Sequence, residues 1–175
     1  MDDQAVNGDV TYEAQWQAGN VTINFNANSG VFTDSTSVKS YTQDYNTSVA
    51  LNHIPAPKKT GYNFLGWAET SVAASPITGT SVTFSDITTS GGKTYYAVWE
   101  IASYTVTLNP NGGTLTTTQI TDIAYNTAVS TGTGTVAEPA APAGYTFDCW
   151  VEADNPSNTY TTDELEAYVV TADKT

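Results

Sequence analysis

Few residues in this chain can do chemistry. His53, the only histidine, lies in LNHIPAP, and Cys149, the only cysteine, lies in GYTFDCW. A Ser-His-Asp or Cys-His device needs a nucleophile, a base and an orienting group that converge. No nucleophile motif of the G-x-S-x-G kind is present. His53 is therefore expected to be a solvated loop residue and Cys149 a buried, inert thiol. Zinc needs several His or Cys ligands, and the chain offers one of each. Carboxylates are the remaining candidates. Glu152, Asp154, Asn155 and Asn158 follow GYTFDCW, with Asp163, Glu164 and Glu166 beyond them. Paired acids could hydrolyse a glycoside, and an oxygen-rich loop could hold calcium. The EF-hand pattern D-x-[DN]-x-[DN]-G is absent, and the corresponding earlier stretch, AETSVAASP, is nearly free of acid. The expectation is a solvated acidic loop, with no catalytic residue, no cofactor and no resident metal.

Aromatic residues could stack on sugars or partners. In TYYAVW, residues 94–99, strand alternation points Tyr96 and Val98 away from Tyr95, Ala97 and Trp99. The similar TYEAQW, residues 11–16, carries Glu13 and Gln15 at those two places. Tyr96 and Val98 are therefore expected to form a contact surface, toward a neighbouring repeat or toward a ligand. In the earlier copy Tyr12, Ala14 and Trp16 make an apolar face.

The elements that position these residues must be strands, since Thr, Tyr, Val and Trp favour a half-buried pleated surface. The 175 residues suffice for one or two small domains. The net charge is −13, with five Lys and no Arg, the wrong sign for neutralising phosphates, so nucleic acid is excluded as a partner. No apolar run approaches a membrane span. Met1-Asp2-Asp3 is acidic where a signal peptide needs positive charge, so a fragment of a longer protein with an added start residue is expected. A single cysteine permits no internal disulfide, and packing must hold the fold.

The chain repeats itself. GYNFLGW starts at Gly61 and GYTFDCW at Gly144, an offset of 83 residues that also relates VTINFN to YTVTLN and Trp16 to Trp99. DYNTSVA at Asp44 matches AYNTAVS at Ala124, an offset of 80, so compensating insertions fall in loops. Each unit reads as a first strand (Val21, Ile23, Phe25 or Tyr104, Val106, Leu108) and a turn at Asn28-Ser29-Gly30 or Asn111-Gly112-Gly113. A second strand follows over Ser37–Tyr45 or Gln119–Tyr125. A Pro-rich passage unfit for an interior strand then precedes the GY-x-F-x-x-W strand. Gly66 is a candidate bulge that would return Trp67 to the inner face. The last strand is Tyr95–Trp99. TTDELEAY, with an N-cap and acids in its first turn, is the best helix candidate. The matching TGTSVTFS is a poor helix former, and at most a short helix or turn is expected.

YTVTLNPNGGT, the Pro-containing spacer, GY-x-F-x-x-W and the closing TYYAVW together resemble the Listeria–Bacteroides repeat family, which includes the B-repeats of internalin surface proteins. The resemblance implies a mainly β fold of tandem small β-grasp-like repeats, each a mixed sheet of about four strands with at most one short helix. It implies an extracellular bacterial surface protein, here without its signal peptide or anchor, and no enzyme activity; the short linkers argue for stiff spacing, so a spacer or stalk with adhesive contacts is expected. A carbohydrate- or protein-binding adhesin module is the alternative. Cys149 in place of a second Gly66, and Asn-Ser-Gly in place of Asn-Gly-Gly, depart from the pattern.

On this alignment residues 1–17 are the closing strand of a preceding repeat, 18–100 a complete repeat, and 101–175 a repeat that lacks its last strand. Tyr12, Ala14 and Trp16 are then the face of a donor strand. Residues 10–17 of one copy are expected to complete the second repeat of the next by strand addition, head to tail. Four residues separate Trp16 from Val21 and four separate Trp99 from Tyr104, so a donated strand would carry its neighbour to the place of a natural repeat. A frayed N-terminus and closure within one chain are the competing outcomes. Self-association and neighbouring repeats are thus the expected partners, with a host glycan or protein as the external candidate and no membrane insertion.

Overall fold

Period-two alternation builds one mixed sheet in residues 20–101. The computed structural model describes residues 8, 9, 11–85 and 92–174; the remainder of the expected 1–17 closing strand, residues 1–7 and 10, lies outside the described residues. The first repeat runs β1 (Asn20–Asn26), β2 (Val38–Asp44), β3 (Ser48–Ala50), β4 (Tyr62–Ala68), β5 (Ser81–Thr83) and β6 (Lys93–Ile101). Four of these strands form a sheet in the order β2-β1-β6-β4. β1 is antiparallel to β2 and parallel to β6, and β4 is antiparallel to β6. β6 is thus the central strand that joins the hairpin to the GY-x-F-x-x-W strand.

The inner face is aromatic. Phe25 is fully buried, stacks on Tyr95 at 5.7 Å between ring centroids and meets the edge of Trp67 at 5.0 Å. Edge-to-face and offset arrangements of this kind exploit the ring quadrupoles. The register of β4 slips between Phe64 and Gly66, and Gly66 takes φ 142°, a conformation that glycine adopts without strain. The slip turns Trp67 inward to 2 % exposure while Phe64 also packs on the core. Pro76 lies over Gly66 on the other face.

The second repeat runs β7 (Ser103–Thr107), β8 (Gln119–Ala124), β9 (Thr127–Ala128), β10 (Trp150–Glu152), β11 (Asn155–Tyr160), α1 (Thr162–Ala167) and β12 (Val169–Val170). Its own core gathers Val106, Leu108, Ile120, Ile123, Trp150 and Val170. The helix starts at Thr161, whose hydroxyl accepts from the Glu164 N–H while the Glu164 carboxylate accepts from the Thr161 N–H. This capping box satisfies two otherwise orphaned donors. The architecture is mainly β, with one short helix among the described residues.

Three expectations need correction. TGTSVTFS forms no helix or simple turn: Ser81–Thr83 is β5, paired with β3, because Val82 can bury its branched side chain there. Val98 is 2 % exposed, so it offers no open surface to an external ligand, although it lies on the face of β6 opposite Tyr95 and Ala97. Its cross-strand partner is Gly66, the residue that Pro76 covers. Tyr145–Cys149, the second GY-x-F-x-x-W segment, carries no strand pairing, for reasons given below. No helix among the described residues is long and apolar enough to cross a membrane.

Candidate functional site

Two features stand out in the way the repeats are built: the joint between them and an open edge on the second. At the joint, β6 ends at Ile101 and β7 starts at Ser103, so Ala102 alone separates them. The Ala102 N–H donates to the Gly61 carbonyl at 2.9 Å, and the Ala102 carbonyl accepts from the Tyr125 N–H at 2.7 Å. The Tyr125 ring occupies the space that a side chain on Gly61 would need. Gly61 has φ 75°, so glycine serves this position twice, for the backbone and for the ring. Tyr104 flanks Tyr125 at 6.4 Å.

The open edge follows from the absence of a β6 counterpart among the described residues. In the first repeat the parallel ladder runs from Ile23–Lys93 to Asn26–Tyr96. In the second repeat the described residues show the first rung of that ladder, Val106 with Lys174, where Thr107 N–H donates to the Lys174 carbonyl and Lys174 N–H to the Thr105 carbonyl. Lys174 also repeats the side-chain pairing of its counterpart: Lys93 pairs with Glu69, and Lys174 with Glu152. Beyond that rung no strand among the described residues pairs with the edge at Leu108 and Asn109. A segment like Tyr145–Cys149 becomes a strand only when a partner supplies its ladder, and in the first repeat that partner is β6. The same GY-x-F-x-x-W pattern is therefore a continuous strand in one repeat, while in the other it pairs with no strand until Trp150.

The turn beside this edge is built alike in both repeats. Asn26 and Asn109 each accept, through the side-chain oxygen, a hydrogen bond from the N–H two residues on. Asn28 and Asn111 both lie in the left-handed region, at φ 47° and 42°, a conformation that Asn tolerates. In the first repeat the turn grips β6. The Trp99 indole N–H donates to the carbonyls of Ala27 and Asn28 at 3.1 and 3.0 Å, and the Asn28 amide donates to the Ala97 carbonyl at 2.9 Å.

Tyr12 is 85 % and Trp16 92 % exposed, Ala14 is exposed too, and residues 11–19 form no regular secondary structure. Tyr96 is half-buried. His53 is exposed at the end of a single 3-10 turn, Leu51–His53, and Cys149 is half-buried with its thiol toward Asp148. Among the described residues no three His, Cys, Asp or Glu side chains converge. The acidic stretch is instead tied down singly: Glu152 by Lys174 and Asn158, Glu164 by its cap. The Tyr125–Gly61 joint escaped sequence reasoning, although both residues lie in segments the repeat alignment had marked.

The Lys174 hydrogen bond, aided by Asn158, holds the Glu152 carboxyl below its ordinary 4.5, and the Glu152 bond raises the Lys174 ammonium above its ordinary 10.5. A depressed carboxyl contributes stability that is complete above its unfolded value and is lost as pH falls through the folded one. Denaturation of the chain as pH falls below 4.5 should therefore show a slope to which Glu152 contributes, and Glu152→Gln should flatten that slope. An unchanged slope would mean that the pair does not anchor Lys174.

The profile of the Listeria–Bacteroides repeat domain matches residues 22–98 and again residues 104–175. Two proteins of Evansella cellulosilytica are similar to the chain, each 27 % identical over 151 residues and provisionally named a membrane protein and a Gly-rich membrane protein. The matched region covers 85 % and 84 % of this chain but only 20 % and 15 % of those two proteins. No solved structure matches.

Proposed function

Since the chain belongs to the Listeria–Bacteroides repeat domain family, we propose that it serves as a stiff spacer within the stalk of a bacterial cell-surface protein, holding adhesive parts at a set distance and doing no catalysis of its own. Residues 18–100 and 101–175 are its two units. The observation that carries this reading is the joint. One residue, Ala102, bridges the repeats, with both of its backbone groups bonded across the boundary and Tyr125 seated on Gly61. A spacer needs its units to follow one another at fixed angles, and in repeat arrays each unit touches only its neighbours. In the same reading copies of this chain add head to tail, residues 10–17 of one completing residues 101–175 of another. The exposed aromatics Tyr45, Tyr62 and Tyr145 lie near real or symmetry-equivalent joint positions, which favours an assembly role for them over a sugar platform.

Small-angle scattering tests the stiffness. The Trp16→Ala chain, in which the N-terminal strand is disabled, should scatter as one rigid elongated particle. Tyr125→Ala should add flexibility without unfolding either core. Flexible scattering from the Trp16→Ala chain itself would overturn the spacer reading.

A further inference from the structure

We infer that the second repeat carries a binding groove for a Tyr-x-Ala-x-Trp strand, and that the strand it takes is Tyr12–Trp16 of a second copy of this chain. This rests on the head-to-tail reading above and gives it a site, a register and a set of recognition groups.

The groove lies between the edge at Leu108–Asn109 and the segment from Tyr145 to Cys149, which pairs with no strand, together with Trp150 at the start of β10. It comprises a cavity of about 120 Å³ beside Leu108, Trp150 and Tyr168, and a cleft of about 650 Å³ between the Asn109–Gly113 turn and Tyr145–Trp150. The equivalent walls in the first repeat are β1 and β4, and β6 fills the space between them. The pairings Phe25–Tyr95, Trp67–Ala97 and Phe64–Trp99 fix the register. Transferred to the second repeat they place Tyr12 opposite Leu108, Ala14 opposite Trp150 and Trp16 opposite Phe147.

The polar groups needed for recognition are already in place. Pro110 and Asn111 offer carbonyls at the positions from which Ala27 and Asn28 accept the Trp99 indole. The Asn111 amide stands where that of Asn28 holds the Ala97 carbonyl, so it would hold the carbonyl of Ala14. Trp150 is 8 % exposed, lines both parts of the groove, and its buried indole N–H has no acceptor. Buried donors are rarely left unpaired, and an incoming strand brings a row of carbonyls.

The other end of the chain repeats the joint independently. The Tyr45 N–H donates to the Gly19 carbonyl at 2.8 Å, as the Tyr125 N–H does to Ala102. Gly144 matches Gly61 with φ 85°, yet nothing lies within 4 Å of where its side chain would be. Tyr45 is 45 % exposed. With Tyr12–Trp16 seated, the Gly19 N–H of the second copy reaches the Gly144 carbonyl and Tyr45 covers Gly144. Half of this second joint is thus formed on one face of the chain and half on the opposite end. In a longer chain, residues after Thr175 would reach the same groove through Lys174, and they are the rival occupant.

The test uses the full chain with Trp16→Ala as acceptor and a fluorescent synthetic peptide of residues 8–19 as probe, read by anisotropy. Saturable binding is expected. It should weaken at least tenfold when the peptide carries Trp16→Ala, and about 2- to 10-fold when the acceptor carries Asn111→Gly, which keeps the left-handed backbone and removes one hydrogen bond. Copying residues 95–101 after Thr175 should fill the groove covalently and abolish binding. No binding to the acceptor would overturn the inference and leave the groove to a continuation of the same chain. Equal binding of the altered peptide, or binding that survives the filled groove, would place the peptide elsewhere and overturn it too. Neither result bears on the stiffness of the Ala102 joint, so the spacer reading stands or falls separately.

Discussion

Trp99→Ala should lower the stability of the first repeat by about 3 kcal/mol, within the range for losing a packed aromatic. Trp99 is held by more than area. Its ring meets Phe64 edge-on at 5.6 Å, and its indole N–H satisfies two carbonyls of the Asn28 turn. Removing it opens the turn and loosens β6, through which β1 and β4 are joined. For a unit of this size about 3 kcal/mol shifts the melting temperature by more than about 10 °C. Calorimetry should show the first repeat melting earlier while the second, with its separate core, keeps its transition. Trp16→Ala should leave both transitions of the isolated chain unchanged, because Trp16 is 92 % exposed. A loss below about 1 kcal/mol for Trp99→Ala would mean that the closing aromatic does not lock the repeat, and a donated Trp16 could not do so either.

The second large effect concerns the joint. Gly61→Ala forces a left-handed conformation on an L-residue, which costs roughly 1–2 kcal/mol. It also places a methyl group inside the Tyr125 ring, which must move. Overpacking of this kind adds about 1–3 kcal/mol. Gly144→Ala is the matched control: φ is 85°, but no atom lies within 4 Å, so only the backbone term applies in a single copy. Urea titration should find Gly61→Ala the more damaging by at least about 1 kcal/mol, with the two repeats unfolding less cooperatively. Equal losses would show that Tyr125 contributes nothing to the boundary.

Both effects turn on residues that the sequence exposes unequally. The alternation of Val21, Ile23 and Phe25 announces β1, because one buried face enforces a period of two. Gly66 between Phe64 and Trp67 is readable as a bulge, since both aromatics could not otherwise share a face. Thr161 and Glu164 announce the helix start. The unpaired state of Tyr145–Cys149 is not readable from its own residues, because a strand is a property of two partners. Lys174 as the counterpart of Lys93 is hidden by loop insertions, which shift it from the 83-residue offset seen elsewhere. Simple alternation points Val98 away from Tyr95 and Ala97, and it does not report that Val98 is covered on that face to 2 % exposure. The joint of Tyr125 on Gly61 joins residues distant in sequence, and no periodicity reports such a contact.

The proposed head-to-tail extension through the N-terminal strand predicts a concentration-dependent mass. Light scattering after size exclusion, over a range of concentrations, tests it most directly. The full chain should gain mass as concentration rises, and the Trp16→Ala chain should stay at the monomer mass of 18.6 kDa throughout. A full chain that remains at the monomer mass at every concentration, or a Trp16→Ala chain that associates just as strongly, would contradict the claim.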